Sequence, residues 1–174
     1  FLETGMHFPQ TLDYKEEISE RLGLTNVRDI PPSETERKVL DPKNTLWKSD
    51  PDACCALRKV RPLEPGLAGY DAWITGRKRF HGGARLSLPV FEHANGRFKV
   101  NPLASWSQDD IDSFLMRRNL PKHPLVAQGY PSIGCWPCTK PAADPSDPRS
   151  GRWAGMAKTE CGLHVDKKER PRVF

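Results

Sequence analysis

Five cysteines, at positions 54, 55, 135, 138 and 161, constrain this 174-residue chain more than any other feature. Cys54 and Cys55 are adjacent, Cys135 and Cys138 are two residues apart, and 80 positions (135 − 55) separate the pairs. A Cys-x-x-Cys spacing lets both thiolates reach one metal centre while the backbone turns between them. Adjacent cysteines point in different directions, so one tetrahedral ion suits them poorly, whereas a cluster offers each a separate iron. If both pairs serve one centre, they staple two distant parts of the chain together. Two plainer readings compete: a buried free cysteine is an ordinary small hydrophobe, and zinc held by four cysteines uses the same ligands as an iron–sulfur cluster.

An odd cysteine count without secretory features argues against stable disulfides and for metal binding and thiol chemistry. No apolar stretch approaches the roughly 20 residues that cross a bilayer, and no basic-then-apolar leader pattern is present; the expectation is a cytoplasmic protein. The 37% hydrophobic fraction supports one domain with a core. With 27 basic and 22 acidic side chains the net charge is +5. That balance favours a small anionic partner and lacks the dense basic runs of a nucleic-acid tail. Phe1-Leu2-Glu3-Thr4-Gly5 reads as a strand end entering a glycine turn, as if the chain opens in mid-domain.

Apolar spacing predicts an amphipathic helix over 11–22, a short strand over 26–30, and a long surface loop over 31–51 that could close on a ligand. A second helix is expected from Asp52 to Pro62, with Cys54-Cys55 in its first turn. Ala72-Trp73-Ile74-Thr75 reads as a buried strand. Asn95-Gly96 between two apolar runs is a hairpin signal. Ser107 with Asp110 marks the start of a helix whose apolar face carries Ile111, Phe114 and Leu115. Beyond Asn119 regular patterning thins, which divides the chain into an α/β part over 1–134 and a cysteine-bearing carboxy-terminal segment over 135–174.

Cys161 stands apart, between Lys158 and His164, whose positive charge would favour a thiolate nucleophile, and beside Gly162, which permits close approach of another molecule. The plain alternative is an idle thiol in a loose tail. Residues 58–85 hold seven bases (Arg58, Lys59, Arg61, Arg77, Lys78, Arg79, Arg85) against two acids (Glu64, Asp71). Guanidinium forks match phosphate and sulfate oxygens two at a time, although such a run is often only a solvated face. Arg149 and Arg152 add a second basic pair ahead of Cys161.

Lys158-Thr159-Glu160-Cys161-Gly162-Leu163-His164 resembles the carboxy-terminal active-site motif of the adenylyl-sulfate and phosphoadenylyl-sulfate reductases. Leu2-Glu3-Thr4-Gly5, Cys54-Cys55 with Arg58-Lys59, Trp73-Ile74-Thr75-Gly76, Val100-Asn101-Pro102-Leu103 and Ser132-Ile133-Gly134-Cys135 are similar to further motifs of that family. The resemblance implies an α/β, Rossmann-like sheet domain of the adenine-nucleotide alpha-hydrolase type, with an irregular active-site tail. It implies Cys54, Cys55, Cys135 and Cys138 as ligands of a 4Fe-4S cluster and Lys59 between cluster and substrate. It makes Arg85, Arg149 and Arg152 substrate contacts, to which the basic run adds Lys78 and Arg79, and Cys161 the nucleophile. Adenylyl sulfate is the implied substrate and thioredoxin or glutaredoxin the electron donor; the subunit count stays open. A reductase of phosphoadenylyl sulfate, or one of dual specificity, is the alternative within the family. A metal-bearing RNA-thiolating or nucleic-acid-binding protein is the alternative outside it. One departure stands out: Lys78-Arg79-Phe80-His81 replaces the usual Arg-Arg-x-Gln.

Overall fold

The computed structural model describes residues 1–164; the extension beyond His164 lies outside the described residues. The chain is mixed α/β. Helix α1 (Pro9–Arg21) opens with proline at its first turn and ends near Gly23, close to the expected span. The expected strand over 26–30 is reduced to a single parallel bridge, Leu2 to Ile30. Residues 31–51 are not the expected open loop. They fold into α2 (Glu34–Leu40), capped by Ser33, and the short α3 (Leu46–Ser49), because Asp41 accepts from the backbone N–H groups of Thr45 and Leu46 at 2.7 and 3.0 Å.

The cysteine-bearing helix runs well past its expected end. Asp50 caps α4 (Pro51–Cys55) through the Ala53 N–H at 2.8 Å, a π-helical turn spans Ala56–Val60, and α5 (Arg61–Gly66) completes the rod. Pro62 does not stop it. That proline falls in the first turn of α5, just after the widened turn, where a missing N–H costs little.

The sheet has three strands in the order β1-β3-β2: β1 (Ala72–Ile74) is parallel to β3 (Arg97–Val100), and β2 (Phe91–Ala94) pairs antiparallel with β3. Asn95 and Gly96 both take positive φ (56° and 74°), as a tight two-residue hairpin requires. The expectation that Ala72 to Thr75 is buried holds only for one face. Ile74, Phe91 and Phe98 lie on the other and are 74%, 70% and 55% exposed. Helix α6 (Gln108–Arg117) begins with the expected capping box between Ser107 and Asp110. Past Asn119 the described chain contains 3-10 turns, bends and one isolated bridge between Thr139 and Arg152, as the thinning pattern implied.

The core sits under the cysteine helix rather than under the sheet. Met6, Cys54 and Cys135 form its buried cluster, and Ala53, Cys55 and Leu57 are buried on the same helix. Arg58 anchors the same region: its guanidinium donates to the Thr4 carbonyl, Asp41 Oδ2 and Asn44 Oδ1, each at 2.7 Å. Both members of the Arg58–Asp41 pair are 2% exposed, so this base is a strut and not a surface cation.

Candidate active site

The two cysteine pairs, distant in sequence, meet. Cys54 packs with Met6 and Cys135 in one buried cluster, bounded by Leu46 and Trp47. The 3-10 turn Trp136–Cys138 brings Cys138 round beside Cys135, and the Trp136 N–H donates to the Met6 carbonyl at 2.9 Å. Thr4 Oγ1 lies 3.4 Å from Cys135 Sγ. Burial pushes the Cys54 thiol up to about 11, against the pull of Arg58 and with Cys135 and Cys138 adding to the rise. Burial pushes Cys55 up to about 12, against Lys59 and Lys158. Cys138 is raised for the same reason, with Cys135 next. Four buried thiols that feel one another and are ringed by cations are a donor set suited to a negatively charged inorganic core. Among the described residues, no three His, Cys, Asp or Glu side chains form a group that could hold a single metal ion.

Half-buried Lys59 faces these thiols. Burial works against its charge, yet Cys135, Cys161 and Cys55 together outweigh burial and hold its pKa above the ordinary lysine value. Lys59 is thus an ammonium set between the cysteine pairs and the lone Cys161.

Beside this lies a cavity of about 310 Å³ lined by Arg77, Lys78, Arg85, Arg149 and Arg152, with His81 and His164. The strand β1 and Gly76 deliver Arg77 and Lys78. The turn Gly83–Arg85 delivers Arg85, and the irregular segment after Pro141 delivers the last two arginines. Burial, then repulsion from Arg85, lowers Arg149 to about 10. Burial and Arg85 also lower Lys78. Burial lowers Arg77, with Glu92 opposing, and it lowers Arg152, with the thiols opposing. Confined cations that depress one another gain most from an anion in their midst. Both histidines are driven down to about 3, first by burial and then by neighbouring cations, so they stay neutral at physiological pH.

Trp153 carries the cations of the tail. It is 2% exposed and adopts a positive φ of 50°, rare for a bulky residue. Arg152, Arg149 and Lys158 stand 4.5, 5.7 and 5.7 Å from its ring centroid. The segment bearing Cys161 is then pinned at several points. Lys158 pairs with Asp52 on α4. Arg149 donates to the Thr159 carbonyl at 2.7 Å. Glu160 pairs with Arg85. His164 stacks on Trp73 at 5.4 Å and 11°. Cys161 is half-buried, within electrostatic reach of Cys55, Lys59, Arg149 and Arg152.

The phosphoadenosine phosphosulfate reductase domain matches residues 1–141. The chain belongs to that family. It is 49% identical over 169 residues to a Mesorhizobium japonicum protein named adenosine 5'-phosphosulfate reductase, covering 97% of this chain and 66% of the relative. It thus spans just under two thirds of that relative's length. A Gloeobacter violaceus protein named phosphoadenosine 5'-phosphosulfate reductase is 44% identical, with 95% of this chain and 70% of the relative covered. Among solved structures, the phosphoadenylyl-sulfate reductase of Candida auris in its phosphate complex superposes with a TM-score of 0.66 at 30% identity, over 80% of this chain and 70% of that one.

Within this family framework most of the residues singled out from sequence converge, but Arg58, Arg61 and Arg79 of the basic run do not: Arg58 is buried on Asp41 and Arg61 pairs with Glu36. Lys78, Arg85, Arg149 and Arg152 line the basic cavity. Arg79 does not line it and donates from Nε to the Leu88 carbonyl at 2.8 Å. Arg77 stands in the cavity, paired with Glu92. His81, Glu160 and Trp153 carry no binding role in the sequence reading, and His164, expected to lend Cys161 positive charge, is instead held neutral by burial and neighbouring cations. The departure at Phe80-His81 already drew attention to His81. For Trp153 no pattern signals a buried ring under three cations, because those cations come together only through folding.

Among the described residues no helix is long and apolar enough to cross a membrane.

Proposed function

We propose that this protein reduces adenylyl sulfate to sulfite and AMP, using the dithiol of thioredoxin or glutaredoxin, in the cytoplasmic assimilation of sulfate. One observation carries the reading: a lone half-buried thiol, Cys161, lies within electrostatic reach of Lys59, Arg149 and Arg152, next to a cavity lined by five cations. Membership in the family and the name of the Mesorhizobium relative support it.

The chemistry follows from those groups. The Cys161 thiolate attacks the sulfuryl sulfur; an S–S bond forms, the S–O bond to the phosphate breaks, and AMP leaves with the electron pair. Lys78, Arg85, Arg149 and Arg152 hold the phosphosulfate and offset the charge gathering on the departing phosphate oxygen. Lys59 stabilises the attacking thiolate. One thiol of the donor then attacks the Cys161 sulfur, sulfite departs, and the donor's second thiol resolves the mixed disulfide. The donor dithiol supplies both electrons. Cys54, Cys55, Cys135 and Cys138 would hold a 4Fe-4S cluster, which when bound adds a fixed charge beside Lys59 and ties the two parts of the chain together. In this scheme residues 1–134 contribute two of the four clamp cations, Lys59 and two cluster ligands, while 135–174 contribute the other two cluster ligands, two arginines and the nucleophile.

Cys161→Ser is expected to abolish sulfite release from adenylyl sulfate under reduced thioredoxin while leaving bound iron and sulfide unchanged. Full turnover by that variant would overturn the assignment. Phosphoadenylyl sulfate is the second reading, favoured by the name of the Gloeobacter relative at comparable identity. A competition assay between the two nucleotides separates them.

A further inference from the structure

The carboxylate of Glu160 reaches two of the cavity's arginines from an adjoining pocket that shares His81, Arg149 and Arg152 with it. It accepts from Arg85 Nε at 2.6 Å and from Arg85 Nη2 at 2.9 Å, the two-pronged geometry that a guanidinium offers to sulfate or phosphate. Arg149 Nη2 lies 3.5 Å from its second oxygen. Of the five cations lining the cavity, Arg77 is matched by Glu92, Arg85 and Arg149 by Glu160, and Lys78 and Arg152 by no carboxylate among the described residues. Glu160 therefore already engages two arginines of the clamp. Burial alone would favour its neutral form, but Arg85 and Arg149 hold its carboxyl below the ordinary value.

The rest of the segment does not depend on that contact. Lys158 is tied to Asp52, and His164 is stacked on Trp73 with its carbonyl 3.5 Å from Lys99 Nζ. Glu160 can leave its arginines while both ends of the 158–164 stretch stay attached. Gly162, at φ 78°, supplies a pivot one residue beyond Cys161. An empty ring of buried cations repels itself, so a built-in anion keeps the clamp assembled between ligands.

We propose that Glu160 is a displaceable internal ligand of the anion clamp: an incoming oxyanion exchanges with its carboxylate on Arg85 and Arg149, and the exchange loosens the backbone around Cys161. This rests on reading the cavity as the anion site and adds the residue that sets its affinity and links its occupancy to the exposure of the nucleophile.

The test uses the full chain as purified, inorganic sulfate as the probe, calorimetry for binding, and mass spectrometry to follow alkylation of Cys161 by iodoacetamide. Glu160→Gln is expected to bind sulfate about tenfold more tightly than the wild type, because a charged competitor has been removed. Glu160→Asp, which keeps the charge, should stay near the wild-type affinity. In the wild type, saturating sulfate should speed Cys161 alkylation several-fold; in Glu160→Gln the rate should be high from the start and indifferent to sulfate. An anion that merely bound nearby would slow alkylation, by disfavouring the thiolate and covering it, so the sign of the change is decisive. Equal or weaker sulfate binding by Glu160→Gln, or wild-type alkylation that is unchanged or slowed by sulfate, overturns the proposal. Should Glu160→Gln fail to fold, the wild-type sulfate response decides alone. Neither readout involves sulfite production. Exchange without reductase activity would sink the proposed function and leave this inference standing, and activity without exchange would do the reverse.

Discussion

The cysteine helix and the Cys161 segment meet at one site but are held by different forces. The helix is fixed by burial: Leu57 and Ala53 are each 1% exposed, and the Arg58–Asp41 pair is closed off from water. The segment from 139 to 164 has almost no regular structure and is held by ion pairs, a ring stack and a tryptophan platform. Packing gives a scaffold that stays put, and charge gives an attachment that an ion can rewrite. If Cys161 acts as proposed, a nucleophile serving both an anion and a donor protein belongs on the latter.

The largest effect should come from the scaffold. Arg58→Met or Asp41→Asn leaves a buried group without its partner and should cost about 3–5 kcal/mol of stability, read by urea denaturation. A loss under 1 kcal/mol would mean that the helix is not the rigid half of the pair. Next is Gly151→Ala. A Cβ there would lie 2.1 Å from the Lys140 carbonyl oxygen, across the single bridge that joins Thr139 and Arg152. Backbone must move, at about 1–3 kcal/mol, and Arg152 should leave the cavity, seen as weaker sulfate binding.

Acid should loosen the tail through His164. Its folded pKa, about 3, lies below the ordinary 6.5, so the unfolded chain binds the proton more readily. Stability is therefore full above pH 6.5 and falls as the pH drops toward 3, by at most about 2 kcal/mol between pH 6.5 and 5. His164→Gln should remove about half of the combined slope in melts across the range, with His81 carrying the rest. Trp153→Leu removes the platform under Arg149, Arg152 and Lys158 and should cost roughly 1–2 kcal/mol of anion affinity, partly restored in Trp153→Phe. Unchanged sulfate binding in Trp153→Leu would show the ring to be filler. The smallest effect is Asp52→Asn. Asp52 is 62% exposed, and such a pair is worth under about 1 kcal/mol, detectable as slightly faster alkylation of Cys161.

Local signals in the sequence carried through where the physics is local. The Ser107 capping box and the Asn95-Gly96 turn each act within a few residues, and each appears in the fold as read. The convergence of the two cysteine pairs was legible through a shared chemical purpose, since neither pair alone requires the other. What escaped depends on distant partners. The loop before Pro51 folds into helices because Asp41 is locked by Arg58, 17 positions away. Arg58 and Arg79 count as cations in the sequence but are spent on Thr4, Asp41, Asn44 and the Leu88 carbonyl. Glu160 looked like punctuation in a motif until Arg85, 75 positions earlier, came to hold it.

The π-helical turn at Ala56–Val60 sets the angular phase of the whole arrangement. A uniform helix would carry the rotation fixed at Cys54-Cys55 straight through to Arg61 and beyond, tying the direction of the cysteines to the packing of the far end. One widened turn uncouples the two, so the thiols keep their bearing while Arg58 points toward Asp41 and its neighbour Lys59 toward the sulfurs. Deleting a single residue from that turn would restore ordinary α-helical winding with both flanks still in phase, and would take out the extra residue that lets strut and ammonium serve different partners.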